Sequence, residues 1–271
     1  VAVIEIDNPP VNATSQAVRA GLLAAIRAAD ADAHAGAVVV AAAGKTFVAG
    51  ADITEFGKTP LEPHLPDVIN RIEACGKPVV VAWHGAALGG GCEIGLAAHA
   101  RVIDAAGSLG LPEVKLGICP GAGGTQRLPR LVGLVHAIDI ATSGRMIPAQ
   151  EAKSLGLADI VAEGDVRAEA IAHARTLIGK PLRRTGDLDV GKEDAASLAD
   201  AIGRVRRSAR GRTAPEAIAE LIRAAATSPL VEGMAQERRA FFALLASDQS
   251  KALRHAFFAE RAVGRVTGLE G

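Results

Sequence analysis

Two short runs that are apolar at every position constrain this chain most: Ala37–Ala42 (AVVVAA) and Pro78–Trp83 (PVVVAW). A strand with one wet face alternates apolar and polar residues, whereas a strand without alternation must be covered on both faces. Such strands belong to parallel sheets sandwiched by helices, so the runs predict an α/β fold. A glycine-rich loop follows each run: Ala49-Gly50-Ala51-Asp52 after the first and GAALGGGCE, ending at Glu93, after the second.

The flanking sequence fits this reading. Val1–Ile6 alternates with period two and NPPVN follows as a turn. The spacing of Val18, Leu22, Leu23 and Ile26 predicts a helix over Ser15–Ala29. Further helices are predicted over Pro66–Cys75, Cys92–Ala100, from the Gly/Pro-rich loop after Leu111 on to Ser143, and over Ala149–Leu155. Val102–Ile103 and Ser108–Leu109 read as the ends of another strand pair, and Leu157–Val161 as a strand. After the polar stretch 180–194 strand signals vanish. The remainder predicts helices over Ala195–Arg210, Pro215–Thr227, Pro229–Ala246 and Gln249–Val263, with Ser228 as N-cap before Pro229. This divides the chain into an α/β core, residues 1–178, and a helical region, residues 179–271.

Composition narrows the function. Thirty basic residues balance thirty acidic ones, which argues against a strong electrostatic footprint for nucleic acid or an anionic membrane. Six Phe, one Trp and no Tyr offer little platform for stacked bases. The longest uncharged stretch near the middle, Pro78–Cys92, is short for a membrane span. Cys75, Cys92 and Cys119 cannot all pair and form no CxxC, which points to a reducing, cytoplasmic setting without a cysteine-based zinc site. The seven histidines show no metal-ligand spacing. The chain opens at Val1 inside an alternating run, so a piece of a longer protein is expected.

Several motifs fail on their context. Gly44-Lys45-Thr46 follows a strand, but the glycine a P-loop needs five residues earlier is Val39. Gly121-Ala122-Gly123-Gly124-Thr125-Gln126 imitates a dinucleotide fingerprint with Gln in its last position and no clear strand before it. No GxSxG occurs. The arginines at 204, 206, 207, 210 and 212 read as a solvated helix face before they read as a phosphate site.

What survives is the pair of glycine loops with Glu93 and, twenty residues on, Glu113. Glycines let backbone N–H groups approach a ligand, and two such donors hold a developing oxyanion. Paired carboxylates divide general-base and general-acid work.

The segments FVAGADITEF, KPVVVAWHGAALGGGCEIGLAAHARV, LGLPEVKLGICPGAGGTQRLPRLVG and SGRMIPAQEAKSLGLAD together resemble the crotonase (enoyl-CoA hydratase/isomerase) superfamily, in the family's order and over nearly the whole chain. DNPPVNA and the tail ERRAFFALLASDQSKALRHAFFAER are similar more particularly to the N-terminal part of bifunctional enoyl-CoA hydratase/3-hydroxyacyl-CoA dehydrogenases. The resemblance implies an α/β crotonase-like spiral of ββα repeats with a C-terminal helical region. It implies an oxyanion hole at Ala51 and Gly90, catalytic roles for Glu93 and Glu113, and substrate or water binding at Ala49, Asp52, Ile53 and Gly121. The substrate would be a fatty acyl-CoA thioester of β-oxidation. Coenzyme A is then part of the substrate, and no metal or other cofactor is expected. A C-terminal 3-hydroxyacyl-CoA dehydrogenase part would continue the chain. Where many relatives place a Lys near the CoA phosphates, this chain has Thr54, with Lys58 or the arginine cluster as substitutes.

The implied reaction is reversible hydration of a 2-trans-enoyl-CoA. Its rivals are Δ3-Δ2-enoyl-CoA isomerisation, which needs one carboxylate, and an acyl-CoA-binding fragment that requires a missing dehydrogenase part. A purely structural helical assembly partner leaves the loops and carboxylates unexplained. Family members associate through the C-terminal helices or, in the bifunctional group, fold them back over their own core. The tail resembles the second group, so fold-back is expected here, with self-association as the alternative.

Overall fold

The computed structural model describes residues 1–263. The two apolar runs form β2 (Val38–Ala42) and β4 (Val79–Trp83) at the centre of a five-stranded sheet. Its order is β1 (Ala2–Ile6), β2, β4, β6 (Ala100–Asp104), β9 (Ile160–Ala162), and every pairing is parallel. Val38 and Val40 of β2 join Val79 and Val81 in the main core, while Val39 and Ala41 join Val80, Ala82 and Val102 in a second core. That second core is closed by Ala170 and Ala174 of α7 (Val166–Leu177). Both faces are covered, which is why the runs do not alternate.

A smaller sheet has the order β3 (Val48–Ala49), β5 (Ala86–Leu88), β7 (Ser108–Gly110), β8 (Ile147–Pro148), parallel except for β7 with β8. The steps β2 to β3, β4 to β5 and β6 to β7 each carry the chain from the first sheet to the second. The chain therefore winds as the ββα spiral that the resemblance implied. Its corners stack tightly: a Cβ on Gly85, at φ +56°, would stand 2.1 Å from the Lys45 carbonyl oxygen. Gly44-Lys45-Thr46 is one such corner, fixed by buried Asn12, whose Nδ2 donates to the carbonyls of Ala43 (2.8 Å) and Thr46 (2.9 Å).

The helices are α1 (Gln16–Ala31, capped by Ser15), α2 (Leu65–Glu73), α3 (Gly90–Leu96), α4 (Gly124–Val132), α5 (Leu134–Ser143) and α6 (Ala149–Ser154), with α7 last in the spiral. Three expectations are corrected. The helix expected over Cys92–Ala100 is α3, which starts earlier and stops at Leu96, because Ala100 pairs with Val80 as the first residue of β6. Val102–Ile103 and Ser108–Leu109 do not pair with each other; they lie in different sheets. The helix running to Ser143 is two, parted at Gly133 with φ +81°.

Among the described residues no strand follows β9. The tail holds α8 (Ala195–Ala209), α9 (Thr213–Ala224), α10 (Leu230–Ala246) and α11 (Asp248–Val263). Ile218 and Ile222 of α9 share one core with Ala137 and Ile138 of α5. Phe241 of α10 meets Phe56 edge-on at 6.4 Å, and Ser250 Oγ of α11 donates to the Leu116 carbonyl at 2.9 Å. The tail thus folds back over its own core. Ser228 does not cap α10: its first helical carbonyl is that of Pro229, which accepts from Gly233 N–H. Residues 264–271 of the expected helical region lie outside the described residues. No described helix is long and apolar enough to cross a membrane.

Candidate active site

The parallel register of β3 with β5 pairs Val48 with Ala87 and Ala49 with Leu88. Beyond these pairs Ala51 bridges Thr14, and Thr14 also faces Gly90. The two loops turn through Gly50 (φ +100°) and Gly89 (φ +51°, ψ −119°), conformations that favour glycine. Among the described residues neither Ala51 N–H nor Gly90 N–H has an acceptor. Gly90 is the first residue of α3, where the helix leaves its N–H groups free. The space in front of it is narrow: a Cβ on Gly90 would lie 2.7 Å from Leu65 Cδ2 and 3.3 Å from Thr14 Oγ1.

Glu93 lies one turn into α3, with its N–H on the Gly89 carbonyl at 2.9 Å. Its side chain is buried, and Oε1 accepts from Ala122 N–H at 2.8 Å and Gly124 N–H at 2.9 Å. Burial raises its proton affinity, while the two amides and then the Arg127 charge oppose that rise. Glu113 belongs to the 3-10 turn Pro112–Leu116. The residue is half-buried, but its carboxyl is sunk inward and Oε2 has no hydrogen-bond partner. Burial, then the Glu93 charge, raises its pKa well above the usual carboxylate range. The two therefore titrate as a pair.

The other expected site residues are less engaged. Ala49 donates its N–H to Val11 and anchors the first loop. Asp52 caps the next turn, accepting from Thr54 N–H (3.0 Å) and Thr54 Oγ1 (2.7 Å), and Ile53 is half-buried beside it. Thr54 is thus occupied locally. Gly121 lies against the Phe241 ring, where a Cβ would stand 2.7 Å from Cδ2. It lines a cavity of about 620 Å³ shared with Pro66 and Asn70 of α2 and with Met234 and Glu237 of α10.

Sequence reasoning missed four participants. Ala122 and Gly124 contribute amides, and those amides touch Glu93. Glu237 of α10, 1% exposed, accepts from Gly123 N–H (2.6 Å), Thr125 N–H (2.8 Å) and Thr125 Oγ1 (2.6 Å). Burial and then the Glu93 charge raise its pKa to about 8, against the pull of these donors. The signal was available: Glu237 lies on the helical stripe Met234–Glu237–Phe241–Leu244, where a carboxylate among apolar residues needs a partner. Arg127, 1% exposed, supports the same loop through Nη1 on the Ala122 carbonyl (3.3 Å), while Nη2 binds Glu73 (2.7 Å) and Asn70 (3.1 Å). The amides that imitated a dinucleotide fingerprint are thus taken by carboxylates.

His99 and the tail arginines have structural roles. His99 is buried with Nδ1 accepting from Val79 N–H (2.9 Å) and Nε2 on the Glu73 carbonyl (3.2 Å), and burial lowers its pKa. Of the tail arginines, Arg204 pairs with Asp200 and Arg206 with Glu220 on the surface.

Loops, free amides and paired carboxylates coincide with a family match: the enoyl-CoA hydratase/isomerase family model covers residues 1–188. The chain belongs to the enoyl-CoA hydratase/isomerase family. It is 42% identical over 276 residues to the peroxisomal bifunctional enzyme of Danio rerio, covering 98% of this chain and 38% of that protein. It therefore spans well under half the length of such relatives. Among solved structures, an enoyl-CoA hydratase subunit from Geobacillus kaustophilus shares 32% identity, with a TM-score of 0.61 over 95% of this chain and 91% of that one. An enoyl-CoA hydratase/isomerase from Pseudoalteromonas atlantica shares 26% identity, with a TM-score of 0.70 over 95% and 94%.

Proposed function

We propose that this chain catalyses the reversible hydration of 2-trans-enoyl-CoA thioesters to 3-hydroxyacyl-CoA in fatty acid β-oxidation. The observation that carries the reading is the convergence of two buried carboxylates with two unengaged amides at one junction of two glycine loops. The thioester carbonyl accepts from Ala51 and Gly90 N–H, which stabilise the enolate-like charge of the transition state; one such donor is worth roughly 3–4 kcal/mol.

The environments of the carboxylates divide their roles. Two amides favour the ionised form of Glu93, so it takes a proton from water as that water attacks C3. Glu113, with one oxygen unpartnered, holds its proton and delivers it to C2. In this reading Gly121 N–H helps to hold the water, and Asp52 and Ile53 shape the first loop at the substrate. Proton transfer and backbone donors account for the step, with coenzyme A entering as part of the substrate.

The resemblance of the tail to bifunctional enzymes supports continuity with a C-terminal 3-hydroxyacyl-CoA dehydrogenase part. The three cysteines, free and buried, suit a reducing compartment, which we take to be the cytoplasm. The test is incubation of purified chain with crotonyl-CoA, with the product identified by mass. A gain of one water supports hydration; acyl-CoA binding without turnover would support a fragment that needs its missing part.

A further inference from the structure

The loop 121–125 has its amides claimed alternately by two carboxylates. Ala122 and Gly124 donate to Glu93 Oε1 at 2.8 and 2.9 Å. Gly123 donates to Glu237 Oε1 at 2.6 Å, and Thr125 donates to Glu237 Oε2 through its N–H at 2.8 Å and its hydroxyl at 2.6 Å. The hydroxyl is itself fixed by Gln126 Nε2, which donates to it at 3.0 Å. The two carboxylates are thus tied to interleaved amides of one short backbone segment. A shift of either one tilts the amides that hold the other. Glu237 comes from α10, a helix of the tail, while Glu93 comes from α3 of the spiral.

We propose that Glu237 is a positioning residue for Glu93: from α10 it fixes the alternate amides of the loop, so that the Ala122 and Gly124 amides hold the Glu93 carboxylate in its working orientation. The proposal rests on the hydratase reading. Under it, α10 is part of the catalytic apparatus as well as a cover for the core. Both Glu237 oxygens are committed to the loop, so its effect on the reaction passes through Glu93.

The experiment measures steady-state hydration of crotonyl-CoA by the full chain, with amide hydrogen exchange over residues 121–125. Glu237→Gln keeps the shape but sets an NH2 group against loop donors. We expect kcat to fall about tenfold or more with KM within about twofold, and loop exchange to quicken, since the interaction lost matters to the transition state and not to binding. Val205→Ala opens a cavity in α8, a tail helix that gives no group to the loop; its kcat stays within about twofold of the parent. An unchanged kcat in Glu237→Gln, or an equal loss in Val205→Ala, overturns the proposal. If Glu237→Gln does not fold, Glu237→Asp, shorter by one methylene at the same charge, is measured in the same way and an unchanged kcat there overturns it. A parent chain that hydrates nothing sinks the hydratase reading; a parent that hydrates beside an indifferent Glu237→Gln sinks only the positioning role.

Discussion

Glu113 Oε1 occupies the space that a side chain on Gly89 would need: a Cβ there would stand 2.8 Å from that oxygen and 3.6 Å from Gly50 Cα. Both glycine loops and one of the paired carboxylates therefore meet at a single residue without a side chain.

Gly89→Ala tests this packing. The methyl group meets Glu113 head-on, and φ +51° with ψ −119° is strained for any residue with a Cβ, at about 1–3 kcal/mol. The variant should unfold at lower denaturant and hydrate crotonyl-CoA at least about a hundredfold more slowly. A variant with the parent's rate would mean that Glu113 has another working position.

Much of this arrangement was legible in the sequence, for identifiable reasons. The valine runs of β2 and β4 announce double-sided burial, and the glycine loops with Glu93 and Glu113 carry the family resemblance. Strands as short as Val48–Ala49 and Ile147–Pro148 have no periodicity to read. The alanine-rich segment after Leu96 favours helix locally, yet the pairing of Ala100 with Val80 overrides that preference. Glu237 escaped because its place on an apolar stripe shows that it needs a partner, but not that the partner is the loop 121–125.

A dependence of stability on pH follows from Glu237. Its pKa is raised from the ordinary 4.5 to about 8, so the folded state binds this proton more tightly than the unfolded state. That contribution is full below about pH 4.5 and is lost as pH rises towards 8, an effect of the order of a few kcal/mol. Glu93 and Glu113 act in the same direction. Urea midpoints of the parent, followed from pH 5 to 8, should fall relative to those of Glu237→Gln. Parallel curves would contradict the shift.

Arg127 and Glu73 form a buried pair at 2.7 Å. Arg127→Met leaves the Glu73 carboxylate with Gly186 N–H at 2.7 Å but no cation, and removes a support of the Ala122 carbonyl. Loss of one partner of a buried pair costs about 3–5 kcal/mol. Adding Glu73→Gln should recover part of it, measured as a double-mutant cycle. Additive losses would show that the pair is not coupled.

The division of labour between Glu93 and Glu113 is tested most directly by hydration of crotonyl-CoA, followed as loss of enoyl-thioester absorbance, in the parent, Glu93→Gln and Glu113→Gln proteins. Each substitution should slow hydration by roughly two to four orders of magnitude, since one removes the base and the other the acid. If either variant hydrates at the parent's rate, the two-carboxylate mechanism is contradicted; a loss confined to one, with Δ3-Δ2 isomerisation of a 3-enoyl-CoA depending on that same residue, would make this an isomerase site.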